Sequence, residues 1–139
     1  MDLDTGLIWL HVTANLFWIG AIAAVGVLVL ATNVDAKVRG TLAVAVYQRV
    51  GVPAFLASFV FGTARLLKDA QHYFKDTHFM HAKLLFALIV IGLHHVIGAR
   101  AKKLASGEAT DAGPTRALLG VFAVCAALAA LTVIFKLPK

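Results

Sequence analysis

The chain has 139 residues, enough for one domain. Hydrophobic residues make up 60% of it and charged residues 14%, with a mean hydropathy of +0.85, which excludes an ordinary soluble globular domain. The net charge of +6 does not point to nucleic acid, because the basic residues sit in short connectors between apolar runs, where lipid headgroups and membrane topology explain them.

In chain order, four apolar segments are each long enough to cross a bilayer at about 1.5 Å per residue. The first runs from Leu7 to Leu30. It follows an N-terminus that carries Asp2 and Asp4 but no basic residue, so it reads as a retained span and not a cleaved leader. The second runs from Leu42 to Leu67, and Pro53 within it predicts a kink. The third covers Phe79 to Leu104, and the fourth runs from Ala117 to Phe135. The connectors are 32–41, 68–78 and 105–115, and the last contains a Ser-Gly-Glu turn and Gly113-Pro114. Connectors this short favour antiparallel neighbours, so the expected fold is all-α: an integral-membrane, up-down four-helix bundle forming a single domain.

Lys37, Arg39, Arg100, Lys102, Lys103 and Arg116 gather on one side of the expected bundle, and the acidic N-terminus lies on the other. The positive-inside rule then places both termini outside, which is periplasmic in the inner membrane of a bacterium. The one cysteine, Cys125, lies in an apolar run and excludes an internal disulfide. No phosphate loop, dinucleotide fingerprint, nucleophile elbow or iron–sulfur cysteine pattern is present.

Ionisable side chains inside the spans carry the functional signal, because hydrocarbon penalises them unless they have a partner or a task. His11, Asn15 and Trp18 follow i, i+4, i+7 spacing and share one face of the first span. His11 and Lys83 are placed at similar depth, about 10 Å from the bilayer centre. His81 lies nearer the surface on the same helix as Lys83. His81 and His95 are separated by fourteen residues, a rise of about 21 Å on nearly the same face. Imidazole is the usual axial ligand of haem iron, so His11, His81 and His94 are candidate metal ligands. Of the neighbours His94 and His95, about 100° apart, at most one points into the bundle. Arg49 lies near their depth and is either a partner for a propionate or a side chain snorkelling to headgroups. Trp18 fits packing at least as well as a cofactor wall, and His72 and His78 fall in a solvated connector.

Several short stretches together carry a family resemblance. They are Leu-His-Val at 10–12 with Trp18, Pro53, Met-His-Ala-Lys-Leu at 80–84, Gly-Leu-His-His at 92–95, and the closing Ile-Phe-Lys-Leu-Pro. In these, and in length and span order, the chain resembles the bacterial membrane-integral protoporphyrinogen IX oxidase family (HemJ-type). The resemblance implies a membrane protein with haem b that oxidises protoporphyrinogen to protoporphyrin and passes electrons to a quinone or another membrane carrier. It implies essential roles for His11 and Lys83, with His11 a haem ligand, and matches His81 and His94 to further family positions. The chain departs from the family at 27–33, where the family carries Arg and His, and at Leu93, where it carries Tyr. A neighbouring membrane family linked to copper resistance (CopD-like) has similar helices. Two other functions therefore stay open: a b-type electron carrier without porphyrinogen activity, and a copper-handling protein. A single chain supports at most one bis-histidine haem, so a second haem would call for a five-coordinate iron, a different ligand or a homo-oligomer such as a homodimer.

Overall fold

The structure is a computed structural model that describes residues 2–76 and 79–135. Among the described residues it is all-α, with four helices long and apolar enough to cross a membrane. The first, α1, spans Leu3–Leu30. Asp2 caps it by accepting from the Thr5 backbone N–H at 2.7 Å, and these Thr5 contacts hold the Asp2 carboxyl below the usual aspartate range. The helix therefore starts before the expected Leu7, because a capped polar turn extends it beyond the apolar run.

The second span is one continuous rod, Ala36–Lys68. It begins with α2, Ala36–Val46, whose first turn is capped by Asp35 through the N–H groups of Lys37 and Val38 at 3.0 and 3.1 Å. This cap moves the start six residues before the expected Leu42: the segment 36–41 is too polar to read as a span, yet the cap makes it helical. A π-helical turn, Tyr47–Gly51, follows, and then α3, Val52–Lys68. The expected disturbance at Pro53 takes this form. Proline offers no N–H and its ring crowds the carbonyl four residues back, so the turn before it widens, and Val52 N–H reaches Tyr47 O.

After a second π-helical turn, His72–Asp76, α4 spans Phe79–Ser106 and α5 spans Thr115–Ile134. Gly107 and Gly113 take positive φ (83° and 52°) in the last connector, as its composition predicts. His78, and the closing lysines at 136 and 139, lie outside the described residues.

The centre of the bundle is built from Trp18, Ile22, Val25, Tyr47, Ile97 and Phe122, with others around them. Leu16, Phe59, Leu85 and Leu88 point outward, the pattern of a bundle whose solvent is lipid. Close approach depends on small residues. A Cβ at Gly40 would overlap the backbone of Leu104 and Ala105, and one at Gly98 would overlap the Tyr47 ring. At one end of the bundle, Asp4 pairs with Lys68 and lies 3.8 Å from Arg65, which also sits over the Tyr73 ring. At the other end, Arg39 is only 3% exposed and donates to Thr110 O at 2.8 Å, while Arg100 holds Asp111.

Candidate functional site

The polar stripe expected on α1 exists, and it closes into a ring with α3. The His11 Nδ1 lies 2.8 Å from the Ser58 carbonyl oxygen. A carbonyl only accepts, so Nδ1 carries the proton and donates it. The Asn15 amide then donates to Nε2 at 3.1 Å, and the Ser58 hydroxyl donates to Asn15 Oδ1 at 2.9 Å. Both ring nitrogens of His11 are satisfied, one by the Ser58 main-chain carbonyl and one by the Asn15 amide, which makes a neutral imidazole acceptable inside the bundle. Ser58 is 3% exposed and had no distinguishing signal within its apolar run.

The ring of His11 lies directly on α3. A Cβ at Gly62 would come within 2.7 Å of His11 Cε1. Lys83 is half-buried on α4, close enough to act electrostatically on the His11 imidazole, and its amine has no hydrogen-bond or ion-pair partner among the described residues. The structure thus brings His11, Asn15 and Lys83 into one region, at the end of the bundle that holds the first turns of α1 and α4. His81 is exposed on the first turns of α4, with its ring edge-on to Phe74 at 5.6 Å.

A second polar contact lies at the bundle centre. Trp18 Nε1 donates to His94 Nδ1 at 3.0 Å. The imidazole is completely buried, with Phe55 stacked at 5.2 Å and Tyr47 at 4.9 Å between ring centroids. His95 points outward and is exposed, as the 100° step between neighbours requires. Arg49 is exposed beside a groove of about 350 Å³ between α1 and α3, lined also by Leu10, Phe17, Pro53, Ala57 and Phe61.

The half-buried His11 and the buried His94 differ in their fitness to hold iron. His11 has its proton on Nδ1, given to a carbonyl, and a lone pair on Nε2, where the Asn15 amide donates; this is the tautomer that histidine ligands adopt. His94 is the reverse. Indole only donates, so the lone pair is on Nδ1 and the proton of the neutral ring is on Nε2, which is buried without an acceptor among the described residues. Iron at that nitrogen would force a proton onto Nδ1, against the Trp18 N–H. The His11 tautomer is thus compatible with an iron ligand, and that of His94 is not while Trp18 donates to it.

Fold and site together define a membrane-spanning α-helical bundle with an imidazole network between α1 and α3 and an indole–imidazole pair at its centre. The chain matches no protein-family model, no curated protein and no solved structure.

Proposed function

We propose that the chain is a membrane haem b oxidoreductase of the protoporphyrinogen-oxidising kind that its sequence resembles, with His11 as the iron ligand. The observation that carries this reading is the His11 tautomer, which leaves the lone pair on Nε2, where the Asn15 amide donates to it, with the Lys83 amine near enough to act electrostatically on the ring. Bound haem would supply a one-electron acceptor able to relay to a quinone or another lipid-soluble carrier. The chain supplies the rest. The Ser58 carbonyl accepts the His11 proton, fixing the ring and strengthening Nε2 as a donor to metal. Asn15 covers that nitrogen when nothing is bound. Lys83 offers three N–H donors to a propionate of the haem or of the porphyrinogen. Arg49 is available to a second carboxylate from the groove side. Substrate, product and carrier all partition into lipid, which suits a site reached from the bilayer. The loop charges support residence in a bacterial inner membrane with both termini periplasmic.

A copper-handling role draws no support from the geometry: no group of three His, Cys, Asp or Glu side chains converges among the described residues.

The test is a reduced-minus-oxidised spectrum of the detergent-purified protein, with complementation of a strain lacking its protoporphyrinogen oxidase. The expected result is a haem b band lost in His11→Ala, and rescue lost in Lys83→Ala. No haem b band in the unaltered protein ends the proposal; haem without rescue reduces it to an electron carrier.

A further inference from the structure

The outward face of α4 carries a second pattern, independent of haem. His81, Leu85, Leu88, Gly92, His95 and Ala99 are all exposed, and their spacing is 4, 3, 4, 3, 4. That alternation is the seam of a left-handed helix pair and drifts little around the helix over its whole length. Leu85 and Leu88 are 58% and 65% exposed, and a Cβ at Gly92 would have nothing within 4 Å. Small residues at Gly92 and Ala99 let another backbone come close.

His95 is what lipid cannot satisfy. It lies about 4 Å from the midpoint of α4 along the axis. Its imidazole is exposed, touches the His94 and Phe55 rings, and makes no hydrogen bond among the described residues. An outward imidazole near the middle of the hydrocarbon slab is costly unless another polar group meets it there.

We propose that this seam is the interface with a second copy of the chain, arranged in parallel, with the two His95 side chains hydrogen-bonded to each other across a twofold axis. Both copies insert the same way, because the charges of their connectors set one orientation, so the axis runs along the membrane normal. In such an isologous contact each seam residue meets its own counterpart. A neutral imidazole holds one donor and one acceptor, so the His95 pair is self-complementary: N–H of one ring to the bare nitrogen of the other. Neither phospholipid tails nor a wholly apolar partner offers this.

The experiment uses the full chain in native membranes with single cysteines placed at similar depth. Leu88→Cys is expected to form a disulfide-linked dimer on mild oxidation, and Phe59→Cys, on the lipid face of α3, to remain monomeric. In detergent, sedimentation is expected to give twice the chain mass of 14.8 kDa for the unaltered protein. His95→Leu is expected to raise the dimer dissociation constant about three- to thirtyfold, the measured range for an interhelical hydrogen bond in a membrane. A monomeric unaltered protein, equal cross-linking at both cysteines, adducts of another mass at Leu88→Cys, or an unchanged dimer in His95→Leu would each overturn the proposal. None of these readouts depends on haem.

Discussion

Trp18 on α1 and His94 on α4 meet at 3.0 Å in the centre of the bundle, and the direction of that hydrogen bond decides what His94 is able to do. Because the indole is the donor, the imidazole is committed to the Nε2–H tautomer and serves as a bracing group between two helices. Removal of the donor is expected to leave a buried imidazole with neither nitrogen satisfied. Trp18→Phe should therefore destabilise the protein by about 1–3 kcal/mol, read from unfolding in mixed micelles. Adding His94→Leu to it should recover part of that loss, since an apolar pair leaves no orphaned group; strictly additive losses would refute the coupling.

His11 sits so close to α3 that one methyl group should dislodge it. Gly62→Ala is expected to push the ring away from the Ser58 carbonyl, moving the His11 ring-nitrogen resonances and lowering haem occupancy. Gly120→Ala, where a Cβ meets nothing within 4 Å, is the control and should change neither. Unaltered His11 resonances in Gly62→Ala would contradict the packing.

Asn15 and His11 touch each other but should respond oppositely to substitution. If iron takes Nε2, the Asn15 amide competes for the same lone pair, so Asn15→Ala should keep or raise haem occupancy where His11→Ala abolishes it. Titration of the apoprotein with haem, followed by its absorbance, distinguishes the two. Equal loss in both variants would make Asn15 part of the haem's own binding set.

The first turn of α1 should respond to acid. The Asp2 carboxyl titrates below its unfolded value because the ionised form accepts from Thr5. Its contribution to the cap is then complete above the ordinary aspartate pKa of 3.8 and is lost as pH falls through the lower folded value. Backbone amide exchange at Thr5 and Gly6 is expected to accelerate over that range, and Asp2→Ala should show the faster exchange at neutral pH.

Much of this was legible along the chain because bilayer thickness sets segment length and helical spacing sets faces. Four apolar runs gave four spans, and the i, i+4, i+7 pattern placed His11, Asn15 and Trp18 on one side of α1. What failed to show was anything fixed by a distant partner. Ser58 is one hydroxyl in an apolar run, and only its distance from His11 in space reveals it. Trp18 reads as packing until α1 and α4 are aligned, when it and His94 are found the same distance past their helix midpoints. Arg39 has the sequence signature of a headgroup anchor, but the last connector folds over it. The early start of the second helix depends on one carboxylate, Asp35, that hydropathy does not weigh.

The widened turn at Tyr47–Gly51 works as a swivel set into a single rod. An added residue rotates everything beyond it by about 100°, so one half of the rod can grip α4 while the other grips α1. Excising Val50 would straighten the rod and turn Ser58 away from the imidazole it steadies. The helices α1 and α4, which already meet at Trp18 and His94, are thereby cross-braced a second time through a third, and the integrity of the His11 network is written into a turn that takes no part in it.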